Sequence, residues 1–180
     1  MVTRPGKVAP IPPPEYQKCK VVLIGECAIG KTSFCKAMSG KEFPADYEPT
    51  VGSDFYMKNM ALGDGLFQFN VWDLSGDQTY VEVRNEFYKE SQAIILMYDI
   101  ARRSSFDALD MWIREASKHG GENLPVFVVG NKKDLDNKRA IPKTDAEKWV
   151  KQRQFNGYFE TSAREGNGFL QLFAAIAEVL

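Results

Sequence analysis

The sequence lacks several features that mark particular classes of protein. Its 180 residues contain one histidine and three cysteines, Cys19, Cys27 and Cys35, whose spacing fits no metal-binding motif. An odd number of cysteines without such spacing favours a reducing compartment over a disulfide framework. No apolar run approaches the ~20 residues of a membrane span, and neither a signal peptide nor a C-terminal prenylation-type cysteine is present. We therefore expect a cytoplasmic protein with no direct membrane anchor in this chain; nuclear or peripheral association stays compatible with the sequence.

The chain also lacks an excess of charge of either sign. Its 23 Lys and Arg against 24 Asp and Glu give a formal net charge of −1, which argues against nucleic acid or an anionic membrane as the main partner. The length and an apolar fraction of 44% suit one domain with its own core. We expect a monomeric domain over residues 18–180. The preceding proline-rich tail, residues 1–17, is either disordered or a ligand for an SH3-type domain.

One short stretch predicts a site for the phosphates of a nucleotide. Residues 25–32, Gly-Glu-Cys-Ala-Ile-Gly-Lys-Thr, match G-x-x-x-x-G-K-[ST] between an apolar strand and a helix with apolar positions spaced i, i+3, i+4. In that context the glycines let successive backbone N–H groups point inward at the helix N-terminus. Lys31 then reaches the β- and γ-phosphates, and the Thr32 hydroxyl ligates Mg²⁺. The other interpretation is a chance match in a strand-turn-helix unit.

Apolar runs and turn residues predict an α/β fold. Two predicted strands, residues 55–62 and 66–73, flank a Gly-Asp-Gly turn and form a hairpin, and apolar strands and amphipathic helices then alternate. Capping boxes predict that one long helix begins at Ser104 and another at Thr144. The pattern predicts a six-stranded, mostly parallel sheet with helices on both faces, and a ligand site at the carboxyl ends of the strands.

Three further motifs fall at predicted strand ends and specify the nucleotide. In Asp73-Leu74-Ser75-Gly76, Asp73 is placed to hold Mg²⁺ through water and the Gly76 N–H to meet a γ-phosphate, although this pattern is common in surface loops. Asp134, at the end of Asn-Lys-Lys-Asp, can accept the N1–H and N2–H₂ groups of guanine, a donor pair that adenine lacks. This argues against an ATP-using kinase; the alternative for the motif is a charged turn. Ser162-Ala163-Arg164 adds a backbone N–H for the base oxygen.

With these motifs in order and at the usual spacing, residues 18–180 resemble the Ras-like small GTPases and, within them, the Rab branch. The resemblance implies the G-domain fold of the P-loop NTPases, Mg²⁺ as the cofactor, and GTP and GDP as ligands. Residues 82–89 and 105–112 look like those of the Rab-related GTPases that carry a C-terminal J domain. The His-Pro-Asp motif of a J domain is absent, so we expect the GTPase domain alone.

The resemblance also implies roles for individual residues. Phe43 packs edge-on against guanine, and residues 43–53 and 74–88 are the two switch regions that bind effectors. The expected catalytic residues are Lys31, Gly76 and Asp77. The expected metal ligands are Thr32, Thr50 and Asp73. The expected nucleotide-binding residues are Cys27, Ala28, Ile29, Gly30, Lys31, Thr32, Ser33, Phe43, Tyr47, Thr50, Gly76, Asn131, Lys132, Asp134, Ser162, Ala163 and Arg164.

Rab proteins also use three aromatic residues as an exposed surface for partners. The corresponding positions here are Phe55, Trp72 and an aromatic residue near Tyr88. The same side chains suit the core of the sheet, so exposed surface and core stay open as interpretations.

Two positions depart from the family pattern where catalysis takes place. The family usually has Gln after Asp-x-x-Gly, where its amide orients the attacking water; here that position is Asp77, and Gln78 follows. A shorter, negatively charged side chain beside a γ-phosphate is unfavourable. Cys27 stands where Gly is common, and its side chain crowds the space for a water or an arginine finger. We therefore expect a switch that binds GTP, hydrolyses it very slowly and recruits effectors in the GTP state.

Other interpretations of these residues stay open. A one-residue slip of the loop brings Gln78 into the catalytic position, or a partner protein restores turnover despite Asp77. Cys27 is alternatively a reactive thiol at the helix N-terminus, although a phosphate ligand opposes the thiolate. The competing function is a constitutive GTP-bound interaction module that does not cycle.

Overall fold

The computed structural model describes residues 14–43, 46, 48–120 and 124–180. Most of the predicted tail, residues 1–13, lies outside these ranges, as does Tyr47. Within them, six strands form one sheet in the order β2-β3-β1-β4-β5-β6, in which β2 and β3 pair antiparallel and all other neighbours pair parallel. The predicted α/β architecture is confirmed. The strands are β1 (Gln17–Ile24), β2 (Ser53–Leu62), β3 (Gly65–Leu74), β4 (Ala93–Asp99), β5 (Val126–Asn131) and β6 (Gly157–Glu160).

Helices cover both faces of this sheet, because strands buried on both faces need apolar partners on each side. The central strand β4 is buried along its whole length. Along β1, Val21 and Leu23 belong to one core cluster, and Val22 and Ile24 to the other. Helices α1 (Lys31–Met38) and α6 (Phe169–Glu178) pack on the first cluster; α2 (Val81–Tyr88), α3 (Arg103–Asp107), α4 (Leu109–Gly120) and α5 (Lys143–Gln152) pack on the second.

Both predicted capping boxes are wrong. The long helix predicted from Ser104 is two helices, α3 and α4, separated at Ala108, and Ser104 lies inside α3. The hydroxyl that ties the start of α3 is that of Ser105, which accepts from the Asp99 N–H at 3.0 Å and donates to the Arg102 carbonyl at 2.7 Å. Thr144 likewise lies inside α5, which begins after Pro142 with no side-chain cap.

The last helix, α6, ends at Glu178, and Leu180 beyond it is 37% exposed. Among the described residues, no helix combines the length and apolar character needed to cross a membrane.

Candidate functional site

The loop between β1 and α1 curls so that two of its backbone carbonyls meet the Lys31 ammonium. Gly25 and Gly30 have φ angles of 142° and 91°, a left-handed region that side chains strain, and Ala28 between them has φ 60°. The Lys31 ammonium is buried and donates to the Gly25 and Glu26 carbonyls, each at 2.8 Å. Burial lowers the pKa of Lys31, and the charge of Asp73 acts against this. Within the described part of the chain, one of its three N–H donors is left for a ligand.

Two hydroxyls and a carboxylate meet beside this loop. Thr32 Oγ1 donates to Asp73 Oδ2 at 2.6 Å, lies 2.8 Å from Thr50 Oγ1, and Thr50 Oγ1 lies 3.4 Å from the same carboxylate oxygen. Asp73 Oδ1 is buried and has no hydrogen-bond partner among the described residues. Burial raises the pKa of Asp73 to about 6, although Lys31 and the Thr32 hydroxyl favour its charged form. A buried carboxylate oxygen without a partner, beside two hydroxyl oxygens, fits a hard cation such as Mg²⁺.

A cavity of about 360 Å³ joins these groups. It extends from the α1 N-terminus to the end of β3, where Gly76 packs so closely on the loop that an added Cβ would lie 2.5 Å from the Cys27 backbone nitrogen. Only glycine fits this approach without displacing backbone. The predicted site residues that line the cavity are Cys27, Ala28, Gly30, Lys31, Thr32, Ser33, Thr50, Gly76 and Asp77.

The loop that follows β5 is bound directly to the phosphate loop. The Asn131 amide donates to the Ile29 carbonyl at 2.9 Å and accepts from the Thr161 hydroxyl at 3.1 Å. Lys132 donates to the Ala28 carbonyl at 2.9 Å and pairs with Asp99 at 2.8 Å. Asn131 and Lys132 therefore join the two loops through protein contacts.

Asp134 lies where the loop after β5 meets the loop after β6. Ser162 Oγ donates to Asp134 Oδ1 at 2.6 Å, which leaves Oδ2 for a ligand. Ala163 is buried and Arg164 exposed. Phe43 is half-exposed and does not line the cavity, and the Ile29 side chain is in the core, so only its backbone faces the loop.

The side chains of Asp77 and of its neighbour Gln78 both contact other protein groups. Asp77 Oδ1 accepts from the backbone N–H of Thr79 at 2.9 Å and from its hydroxyl at 2.8 Å, and so caps the 3₁₀ turn Gln78–Tyr80. These hydrogen bonds lower the pKa of Asp77. The amide nitrogen of Gln78 lies 4.0 Å from the sulfur of Met111 in α4.

The aromatic cluster on the sheet is Phe55, Trp72 and Phe87. Ring centroids are 5.0 Å apart for Phe55 and Trp72, and 4.8 Å apart for Trp72 and Phe87. Phe55 is 49% exposed, whereas Tyr88 is completely buried. The aromatic residue near Tyr88 is therefore Phe87, and Tyr88 belongs to the core.

Sequence reasoning missed a buried arginine beneath the same cavity. Arg84 of α2 is fully buried and makes hydrogen bonds to Glu115 of α4 and to the carbonyls of Ser75 and Asp77. Its position, four residues before buried Tyr88, was the available signal, because i, i+4 spacing places both on one helix face.

Comparison with known proteins agrees with this geometry. A sequence model of the Ras family matches residues 20–180. DnaJ homolog subfamily C member 27 of Danio rerio is 37% identical over 161 residues, covering 87% of this chain and 59% of that protein, and the Homo sapiens protein is 35% identical with the same coverage. Ras-related protein Rab7 of Pisum sativum is 34% identical over 165 residues, covering 88% of this chain and 80% of the relative.

The chain therefore belongs to the Ras family, and it is a GTP-binding switch domain of that family. The predicted resemblance to the Rab-related GTPases, including those with a J domain, is confirmed by these relatives. The chain spans 59% of the length of the DnaJ homolog relatives. Ras-family proteins generally bind GTP and GDP with Mg²⁺ and hydrolyse GTP.

Proposed function

We propose that this protein is a Mg²⁺-dependent GTP/GDP switch whose intrinsic GTP hydrolysis is very slow and whose GTP state recruits effector proteins. The observation that carries the proposal is the side chain of Asp77, which occupies the position of the usual glutamine and is engaged by Thr79. Nucleotide binding does not depend on that position, so affinity and turnover are separable.

Residues that line the cavity, together with Asp73, Asp134 and Ser162 beside it, supply what binding needs. Lys31 and the loop amides hold the phosphates, and Asp134 with Ser162 holds the base. Thr32, Thr50 and Asp73 would hold Mg²⁺, which when bound neutralises negative charge on the phosphates. The unpartnered oxygen of Asp73 supports this assignment.

The same geometry supports slow hydrolysis. An amide that orients the attacking water must be able to donate and accept, whereas a carboxylate can only accept. Asp77 already accepts two hydrogen bonds from Thr79, and its lowered pKa keeps it charged at neutral pH. Gln78 is turned towards Met111. Because water positioning together with an arginine finger contributes ~10³–10⁵ in rate in this class, we expect intrinsic turnover well below that of ordinary members.

The switch depends on two segments that meet the γ-phosphate end of the cavity. Thr50 comes from the segment before β2, and Gly76 from the loop after β3. Loss of the γ-phosphate removes a ligand from both, and so changes the surface that these segments present to partners.

A constitutive GTP-bound module is the second candidate function. The hydrogen bond from Thr79 to Asp77 favours this second function. A protein that cannot hydrolyse GTP would permanently present to partners the surface of its GTP-bound state. The bound nucleotide after long incubation separates the two: accumulation of GDP supports the switch, and GTP alone supports the constitutive module.

Single-turnover hydrolysis tests the central claim. GTP is loaded on the purified protein with Mg²⁺, and wild type is compared with Asp77→Gln and with the control Asp64→Gln in the exposed turn between β2 and β3. We expect Asp77→Gln to hydrolyse GTP at least ~10-fold faster than wild type and Asp64→Gln to match wild type. A wild type as fast as Asp77→Gln would contradict the assignment, and Gln78 would then be the residue to test.

A further inference from the structure

Arg102 connects the loop between β4 and α3 to the phosphate loop between β1 and α1. Its Nη2 donates to the Cys27 carbonyl at 2.6 Å, and the two residues are 75 positions apart in the chain. The backbone of Arg102 is held on both sides, because its N–H donates to the Asp99 carbonyl at 3.0 Å and its carbonyl accepts from the Ser105 hydroxyl at 2.7 Å. The guanidinium therefore reaches the phosphate loop from a fixed point of the fold.

The charge of Arg102 is not neutralised by a carboxylate in the part of the chain that the structure describes. No acidic side chain of residues 14–43, 46, 48–120 and 124–180 lies within ion-pair distance of it, whereas Lys132 pairs with Asp99 at 2.8 Å and Arg103 pairs with Asp107 at 3.0 Å. The Nε of Arg102 is buried and has no hydrogen-bond partner among the same residues. A cation bound to a neutral carbonyl keeps its full charge beside the phosphate loop, where it attracts the phosphates of a nucleotide.

The next residue of the loop, Ala28, has a backbone conformation that its side chain strains. Its φ angle is 60°, in the left-handed region that residues other than glycine adopt only where surrounding contacts maintain it. Both peptide groups that flank Ala28 are held by cations. Arg102 binds the carbonyl of Cys27 before it, and Lys132 binds the carbonyl of Ala28 itself at 2.9 Å. Cations from two separate loops therefore stabilise the strained conformation of one residue.

The contact with Arg102 also determines the direction of a backbone N–H. The peptide bond between Cys27 and Ala28 is trans, so the Ala28 N–H points opposite to the Cys27 carbonyl, away from Arg102. Ala28 lines the nucleotide cavity, and its N–H makes no hydrogen bond within the described residues. Successive N–H groups around a left-handed residue form a concavity that binds anions, so this N–H is available to a phosphate oxygen.

We propose that Arg102 is a positioning residue of the nucleotide site, which holds the phosphate loop so that the Ala28 N–H faces a phosphate. The proposal rests on the proposed function and adds to it a residue that lies outside G-x-x-x-x-G-K-[ST]. Loss of Arg102 removes one of the two contacts that hold Ala28, together with a positive charge beside the phosphates. GDP and GTP both place phosphates in this loop, so both should bind more weakly.

The test measures affinities for GDP and for a non-hydrolysable GTP analogue in wild type, Arg102→Met and Arg102→Lys. Methionine neither donates a hydrogen bond nor carries charge, so we expect Arg102→Met to lose about tenfold in each affinity, equivalent to ~1.4 kcal/mol. Lysine keeps the charge and a donor for the Cys27 carbonyl, so Arg102→Lys should stay within about threefold of wild type.

The matched control is Arg103→Met, at the next position in the chain. Arg103 pairs with Asp107 inside α3 and makes no hydrogen bond to the phosphate loop among the described residues, so its loss should change neither affinity. Arg102→Gln covers the case in which Arg102→Met does not fold. Its polar side chain suits the partly exposed position but is too short to reach Cys27, and the same loss of about tenfold is expected.

Two outcomes would overturn the proposal. One is a folded Arg102→Met or Arg102→Gln that binds both nucleotides as tightly as wild type, and the other is an Arg102→Lys as weak as the variants that lose the contact. If the wild type binds neither nucleotide, the proposed function itself fails, which these measurements distinguish from failure of the assignment of Arg102 alone.

Discussion

Replacing Asp134 with Asn should reverse the hydrogen-bonding character of the group that we propose faces the base. The Ser162 hydroxyl donates to Asp134 Oδ1 at 2.6 Å, a length typical of hydrogen bonds to a charged group. In Asp134→Asn the same hydroxyl favours the amide oxygen on its side, which turns the NH₂ group towards the ligand. Guanine then meets a donor where its N1–H and N2–H₂ need an acceptor, whereas xanthine offers a carbonyl oxygen.

The magnitude follows from the hydrogen bonds that are lost. A hydrogen bond to a charged group contributes roughly 1.5–3 kcal/mol net, so losing one such bond weakens GTP binding by roughly 10- to 150-fold. The introduced NH₂ group and the N–H groups of guanine would also face one another as donors without an acceptor between them, which weakens binding further. We therefore expect Asp134→Asn to bind GTP at least ~10-fold more weakly and to prefer xanthosine triphosphate.

Competition between GTP and xanthosine triphosphate for the purified protein measures this change. The matched control is Asp136→Asn, two residues along the same segment, because Asp136 is exposed and pairs with Arg139, whereas Asp134 accepts from Ser162. The control should keep the preference of the wild type. A GTP affinity of Asp134→Asn equal to that of wild type would refute the assignment of Asp134 to the base.

Two further predictions follow from the contacts described above. Thr50→Ala removes the hydroxyl 2.8 Å from Thr32 Oγ1. We expect it to weaken the binding of a GTP analogue, and the dependence of that binding on Mg²⁺, more than it weakens the binding of GDP. Nucleotide release with and without a chelator measures this, and an equal effect on the release of both nucleotides would contradict it. Glu160→Gln breaks a carboxylate pair with Arg139 at 2.8 and 3.0 Å and should cost roughly 1.5–3 kcal/mol of unfolding free energy near neutral pH. Burial opposes the charge of Glu160, but hydrogen bonds from Arg139 and Tyr158 lower its pKa, so the stability difference should be present above the ordinary carboxyl range and shrink as pH falls through the lowered pKa. Denaturant unfolding at several pH values measures this, and a difference independent of pH would contradict it.

The elements that the sequence predicted well are those specified locally. The strand–loop–helix around Lys31 follows from an apolar run, two glycines and a helical spacing, and β4 follows from a continuous apolar run. The two capping-box predictions were wrong because a Ser or Thr followed by an acidic residue three positions later also occurs inside a helix. Ser104 and Thr144 lie one residue past the helix start, and the hydroxyl that binds the backbone before α3 is that of Ser105.

The parts of the site that the sequence missed depend on residues far apart in the chain. Arg84 and Glu115 are 31 residues apart, and no local pattern joins them. The sequence identified Asp77 as a departure, but the direction of its side chain depends on a contact with Thr79 that is visible only in the structure. The same applies to Phe87, which lies on Trp72 whereas its neighbour Tyr88 turns into the core.

The hydrogen bonds from Asn131 and Lys132 to the carbonyls of Ile29 and Ala28 have a kinetic consequence. They fix the spacing between the loop after β5 and the loop before α1, so the two ends of a nucleotide bound as we propose would be held by one connected unit. The residence time of a bound nucleotide therefore depends on protein–protein hydrogen bonds that do not touch it. Because Lys132 is partly exposed, its hydrogen bond to Ala28 can be broken without displacing the nucleotide, and we expect this to shorten the residence time.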